Sequence, residues 1–455
     1  MIIFSKKLKL IICISLIFAD QYISYGQRHD NQINLFSSQV FSSSYFIDLV
    51  CCKESFHQSQ SDNKFGQDQI SLNNTKTQTL AEHALPNLVS THHFGLFSDR
   101  QLQDFRSKAV SEIQFQFDLQ SGNVFHPPIE VYLPKNPKVR EILSGITWFN
   151  RNFNYENQQD TPAELMDLYI DAVFKVYRPQ LKIPLTSKSE FDVGLRIFQP
   201  TRGKPWTSLL TGDQTIELFH SHIAGGEDTF GRKVYGMNQV IINYTDRARR
   251  QLTLDTNEFV FGGLSLKYAY YPTFKSFQKK NISLQFNLHS GWNHNAFQKS
   301  MDIGAGSQIL KSLKIQNSRL KLGLGLNFLY KSLLGANDNI DFGNNDVLGN
   351  AQAMTQYLWP TRNGNSHAFT LHYQIQTPYF RKSEEDYFHL KGDWQAVNQG
   401  WHNAYTTLIK PQSAWSLIYS YRRPKNKYQI YIQQDLKVHN APDIQAGFSV
   451  NFRLN

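Results

Sequence analysis

Cysteine is nearly absent, with three residues in 455, at Cys13, Cys51 and Cys52. Two adjacent thiols cannot staple distant parts of a fold, so a disulfide scaffold is excluded, and no CxxC or other metal-ligand spacing exists. Beyond the N-terminal stretch no segment approaches the roughly 18 consecutive apolar residues of a membrane helix, so membrane residence would have to come through strands. Runs of five or more Lys and Arg are missing although the formal net charge is +10, and scattered basic residues give no reason to expect nucleic-acid binding. There is no phosphate-binding glycine loop. No repeat with a period of about 20 to 50 residues suggests a propeller or solenoid.

What is present begins with MIIFSKKLKLIICISLIFADQYISYGQ. Lysines at 6, 7 and 9 precede an apolar run from Leu10 to Phe18 and small residues at Ser24 and Gly26, the layout of a secretory signal peptide cleaved after Gly26. The apolar run covers only about half of the roughly 20 residues a membrane anchor requires. Cys13 has no small-residue run before it, so a lipid anchor is not expected. Removal of residues 1–26 leaves 44 basic against 36 acidic residues, a net of +8. Residues 27–109 are a polar extension rich in Ser, Gln, Asn, Asp and His, with too little apolar surface to offset the entropy of ordering. It is expected to be partly flexible and either periplasmic or a partial plug. Ser98 followed by Gln101, ahead of Leu102 and Phe105, reads as a short helix start.

From about residue 110 the pattern has period two. In RLKLGLGLNFLY, residues 319–330, the leucines at 320, 322, 324 and 326 with Phe328 and Tyr330 share one parity, and Arg319, Lys321, Gly323, Gly325 and Asn327 the other. Segments 191–198, 282–289, 367–376 and 444–454 alternate in the same way, and less regular runs appear near 111–119, 145–153, 214–223, 238–245, 259–271, 386–396, 402–409, 414–422 and 428–438. Successive strand side chains point to opposite faces, so each segment is amphipathic as a strand. Turn signals lie between them, at 186–189, 225–228, 335–350, 363–365 and 423–426. Residues 161–178 carry both a helix start at Thr161-Pro162-Ala163-Glu164 and strand alternation; a strand from about 167 to 178 is favoured because it pairs with the one at 191 through a short turn.

Alternation alone suits a soluble sandwich and a membrane barrel equally, since either can bury or expose the apolar face. The polar parity is mostly Gln, Asn, Ser, Thr, Gly and His, where a solvent face would draw densely on Lys and Glu. Aromatic residues, 14% of the chain, gather near strand ends: Trp148 and Phe149, 268–271, Tyr357 and Trp359, Tyr419 and Tyr421, Tyr428 and Tyr431. Such placement suits aromatic girdles at two membrane interfaces. The closing Phe452-Arg453-Leu454-Asn455 resembles the terminal strand of Gram-negative outer-membrane β-barrel proteins, with the usual final aromatic displaced three positions inward. The expected fold is therefore all-β, a closed antiparallel transmembrane β-barrel of roughly 12 to 14 strands, within a range of about 10 to 16, over residues 110–455. The resemblance implies the cell outer membrane as location, with outer-membrane lipids and the barrel assembly machinery as partners.

The expected function is a non-enzymatic channel or transport protein for small polar solutes, with no cofactor and no metal. Asp192, Arg196, Ser283, Gln285, Asn287, Arg319, Lys321, Asn327, Gln374 and Asn451 are the lumen-lining candidates, supplying hydrogen bonds and charge. An alternative is a lipid-modifying hydrolase using residues 217–239, where His220, Ser221, His222 and Asn238 are similar in type to the His, Ser and Asn of outer-membrane phospholipases. Neither histidine has Ser two residues later, and strand neighbours such as His220 and Ser221 point apart. The two histidines lack an identifiable third metal ligand. Asp338, Asp341 and Asp346 do not follow calcium-loop spacing, and the basic clusters at 201–205 and 247–250 read as loop charges. A secreted adhesin or lectin-like sandwich is the remaining alternative.

Overall fold

In a computed structural model the described residues form fourteen strands: β1 (Gln114–His126), β2 (Leu168–Thr186), β3 (Ser189–Thr201), β4 (Ile241–Thr245), β5 (Gln251–Thr253), β6 (Val260–Tyr270), β7 (Ile282–His294), β8 (Lys299–Ile315), β9 (Ser318–Leu333), β10 (Val347–Pro360), β11 (Ser366–Gln376), β12 (Gln412–Arg422), β13 (Asn426–Gln434) and β14 (Ile444–Arg453). The structure describes residues 82–88, 95, 102–126, 136–145, 168–204, 208, 210–219, 221–222, 232–246, 248–295, 297–334, 339–361, 364–384, 411–434 and 444–454. All of them fall in one unit, Thr79–Asn455.

Neighbouring strands pair antiparallel in the order β1-β14-β13-β12-β11-β10-β9-β8-β7-β6-β3-β2, and β2 pairs back to β1, closing a barrel of twelve strands. Closure removes both sheet edges, so no ring strand presents an unpaired row of backbone groups. β4 and β5 stand outside the ring: β4 pairs with the first residues of β2, where β3 has already ended. The ring has two unlike ends. The start of β1, the end of β14 and the short turns at 187–188, 316–317, 361–365 and 423–425 share one end, while the longer connections 127–167, 202–259 and 377–411 lie at the other. Outer-membrane barrels place short turns in the periplasm and long loops outside.

The period-two pattern is resolved into two faces. Phe286, Leu288, Ile303, Phe328, Tyr330, Phe369, Leu417, Ile430 and Phe448 are exposed on the outer face, Leu288 at 63% and Phe328 at 60%. Gln285, Asn287, Asp302, Lys321, Asn327, Thr370, Gln429 and Ser449, on the opposite parity of the same strands, are buried inside. No second protein layer covers Phe328 or Tyr330. An exposed apolar belt around a polar interior is the architecture of outer-membrane β-barrel proteins.

The favoured strand at 167–178 forms, and runs on to Thr186. Other expectations change. Residues 214–223 do not make a strand: Asp213–Phe219 is a helix that buries Asp213, Ile216 and Glu217 along one side, at helical spacing. The helix expected to run through Leu102 and Phe105 is absent, because barrel side chains take the backbone donors it would have used: Gln103 N donates to Gln352 Oε1 at 3.2 Å and Phe105 N to Gln308 Oε1 at 2.9 Å. Tyr271 and Tyr431 do not join the outer girdle. Both are buried at 3%, since Tyr431 has the inward parity of Gln429 and the Tyr271 hydroxyl donates to Glu190 Oε1 at 3.0 Å. The strands expected at 145–153, 386–396 and 402–409, with residues 1–26, Trp148 and Phe149, lie outside the described residues.

Candidate functional site: the occupied lumen

Two stretches of chain before β1, residues 82–88 and 102–110, lie within the ring. Their side chains and backbone bond to Lys182 of β2, Glu190 of β3, Asn287 of β7, Gln308 of β8, Lys321 of β9, Gln352 of β10, Ser366 of β11, Arg422 of β12 and Lys427 of β13. A short segment that touches strands on all sides of a closed barrel is inside it. A twelve-strand ring is wider than the roughly eight strands whose own side chains fill the interior, so space is left for an occupant.

The apolar part of the occupant seats in a socket built from exceptions to the polar parity. Leu85, Leu88, Leu102 and Phe105 pack with Leu310, Met354, Ile418 and Tyr431, inward apolar residues on a mostly polar wall. Glycine makes the room. A Cβ on Gly323 would sit 2.5 Å from Phe105 Cδ1, and one on Gly325 2.7 Å from Gln103 Cγ. Phe105 holds φ at +51°, a costly conformation for a bulky residue, which the surrounding packing and its bond to Gln308 over-determine.

Hydrogen bonds then fix the register. Gln103 donates through Nε2 to Asn327 Oδ1 at 2.9 Å and accepts from Asn287 Nδ2 at 3.1 Å, while Gln308 Nε2 donates to the Arg106 carbonyl at 2.7 Å. His83 Nε2 meets Ser366 Oγ at 2.8 Å, and Gln356 Nε2 donates to the His83 carbonyl at 3.0 Å. The Ala84 carbonyl accepts from Lys427 Nζ at 2.9 Å and Gln429 Nε2 at 3.0 Å.

An ion network ties the occupant to β2, β3 and β6. Arg106 grips Glu190 with both terminal nitrogens, Nη1 to Oε2 at 2.9 Å and Nη2 to Oε1, and its Nε reaches Asp104 Oδ2 at 2.7 Å. Lys182 bridges Asp104 at 3.0 Å and Asp192 at 3.6 Å, and Lys267 adds Asp192 at 3.1 Å. Such planar, two-pronged arginine pairing is the strong form of the ion pair. For Asp104, burial alone would raise the carboxyl, but Arg106, Lys182 and Lys267 hold it well below the usual carboxylate range. Glu82 behaves likewise: burial opposes ionisation, and Lys321, the Ser107 hydroxyl and amide, and Arg106 outweigh it. Burial first, then Lys427, Arg422 and Lys321, push the His83 imidazole down to about 2.

Of the lumen-lining candidates, Asp192, Arg196, Gln285, Asn287, Lys321, Asn327, Gln374 and Asn451 are buried, and Ser283 and Arg319 are half-buried nearer the turn end. Asn287, Lys321 and Asn327 touch the occupant directly. Arg196 instead bonds to the Gly262 carbonyl and Asn293. Sequence reasoning named Phe105 only as part of a helix and did not single out Glu82, Gln103, Asp104 or Arg106, nor the wall partners Glu190, Gln308, Gln352, Arg422 and Lys427. Apolar residues on a polar parity, such as Leu310, Met354, Ile418 and Tyr431, and the inward glycines 323 and 325 are the signals that could have pointed to them.

The hydrolase alternative gains no geometry from the described residues. Ser221 Oγ accepts from Lys233 Nζ at 3.3 Å, His222 Nδ1 faces the Leu218 carbonyl at 3.1 Å, and the Asn238 amide donates to Asp213 Oδ2 at 2.6 Å; His220 lies outside the described residues. Among the described residues no group of three or more His, Cys, Asp or Glu is placed to hold a metal ion. Asp341 pairs with Arg381 at 2.5 Å.

No protein-family model and no curated protein matches the chain. Among solved structures it is similar to an outer-membrane channel from Pseudomonas putida F1, at 10% identity and a TM-score of 0.37, covering 78% of this chain and 100% of that one. It is also similar to the KdgM porin in complex with disordered oligogalacturonate, at 7% identity and a TM-score of 0.28, covering 62% and 93% of the two chains. The NanC porin gives 6% identity and a TM-score of 0.31 over 62% and 94%.

Proposed function

We propose that the protein is an outer-membrane channel for small polar solutes whose lumen is held shut by its own N-terminal segment. The observation that carries the reading is the filling of the ring: the interior is a hydrogen-bonding wall, and the groups completing it come from residues 82–88 and 102–110 as well as from wall side chains. A structural core has no need of a separable strand of chain, whereas a gate does. The outer face supports residence in lipid, since Phe286, Leu288, Ile303 and Phe328 on the surface would be unfavourable in water and favourable in hydrocarbon. Residues 1–26 serve as the export signal, 27–81 precede the gate, and β14 is the strand offered to the assembly machinery.

Planar-bilayer recording tests this. The full chain is expected to be mostly closed, and the double variant Phe105→Ala, Arg106→Ala to show stepwise conductance, because it removes the socket's aromatic and the two-pronged ion pair together. Absence of conductance from a folded double variant would overturn the channel reading.

A further inference from the structure

Three cations of the wall meet on one short stretch of the occupant. Lys182 and Lys267 share Asp192 on the wall, at 3.6 and 3.1 Å, and Lys331 faces Asp302 at 3.7 Å. Glu190 is taken by Arg106, the Tyr271 hydroxyl and the Val110 amide, and Asp118 is held by Gln116 Nε2 at 3.1 and 2.9 Å. Lys321 of β9, Arg422 of β12 and Lys427 of β13 instead converge on one tripeptide of the occupant. Lys321 Nζ lies 3.5 Å from Glu82 Oε1, Arg422 Nη1 donates to the Glu82 carbonyl, and Lys427 Nζ donates to the Ala84 carbonyl at 2.9 Å. Among the described residues none of the three is ion-paired with a carboxylate of the wall. All sit toward the turn end of the barrel, Lys321 and Lys427 almost fully buried.

One carboxylate and two peptide oxygens of the occupant therefore contact three cationic side chains, with Asp118 of the wall acting on Lys427 at longer range. These direct acceptors are lost once the gate leaves. Like charges gathered in a site of low polarity are relieved by an anion far more than the same charges in open water. The acceptors now present have a recognisable shape: a carboxylate flanked by carbonyl oxygens, spread across three strands.

We infer that Lys321, Arg422 and Lys427 form a binding site for solutes carrying two or more carboxylates, and that Glu82 with its neighbouring carbonyls occupies this site as an internal stand-in until such a solute displaces it. The inference rests on the channel reading in taking the lumen as the solute's route. It goes further in giving the solute a charge, and the gate a competitor. Solute binding and gate seating are then mutually exclusive, so each weakens the other by the same factor.

Calorimetric titration of the detergent-solubilised full chain with citrate tests the site. Glu82→Gln keeps the side chain's shape and removes its charge, and is expected to tighten citrate binding roughly tenfold, the equivalent of about 1.4 kcal/mol. Adding Lys427→Gln to that background is expected to reverse the gain, and Lys427→Arg to keep most of it. Inorganic phosphate and glucose, titrated in the same way, are expected to bind at least tenfold more weakly than citrate. A citrate affinity indifferent to Glu82→Gln and Lys427→Gln, with both variants folded by gel mobility, overturns the inference, and so does phosphate binding as tightly as citrate. Citrate binding that follows these residues in a protein with no conductance would remove the channel and leave the site; conductance without citrate binding would do the reverse.

Discussion

His83 is buried as a neutral imidazole against three cations, and once released into water it would titrate near 6.5. Its depressed value means that seating is fully supported above about 6.5 and loses support as pH falls below it, because the released form takes up the proton first. Glu82 and Asp104, also lowered, act in the same direction at still lower pH. Open probability in bilayers is therefore expected to rise between pH 6.5 and 5, by up to about tenfold per pH unit for one proton, and His83→Asn to flatten that rise. A steeper opening toward alkaline pH would contradict the assignment. Gly323 offers a steric counterpart. A Cβ there would meet Phe105 at 2.5 Å, so Gly323→Val is expected to unseat the occupant at a cost of about 1–3 kcal/mol and raise open probability at neutral pH. At this scale the alternation was legible: Asn287, Lys321 and Asn327, on the polar parity, are buried. It could not read residues 82–88 and 102–110, whose polar composition has no periodicity and whose partners lie on distant strands.

Among elements, an ionic coupling runs from the occupant to the β2–β3 hairpin through Arg106, Glu190, Asp104 and Lys182. Removing one member of a buried pair leaves the other charge uncompensated, a loss of about 3–5 kcal/mol. Glu190→Gln is expected to weaken seating by this mechanism and to accelerate hydrogen exchange of the backbone amides at Phe105, Ser107 and Val110 while the β7–β9 amides stay protected. Uniform loss of protection across the barrel would instead assign Glu190 to the ring's own stability. Long regular strands were the most legible elements: β9, β11 and β14 run where the alternation indicated. Asp213–Phe219 was not, because Ile216 beside polar neighbours fits a short strand and a single amphipathic turn equally, and tertiary burial of Asp213 and Glu217 decided for helix. The fragment at Leu102 misled for the opposite reason, since its local capping signal was overridden by acceptors more than two hundred residues away in sequence.

For the whole molecule, closure of twelve strands predicts a unit that resists detergent. The unheated protein is expected to migrate faster than the heated one in a semi-native gel and to stay with the membrane pellet. Identical mobility before and after boiling would argue against a closed ring. Phe105→Ala should leave that mobility shift intact, since the ring's hydrogen bonds do not pass through the occupant. One feature also constrains how such a molecule is made. The inner segment runs directly into β1, and β1 closes the seam against β14, more than three hundred residues farther along the chain. A seam joining the first and last strands is the most non-local pairing in the sheet, and pairings of that kind form late. A ring whose seam closes late is expected to fold around its contents rather than admit them afterwards.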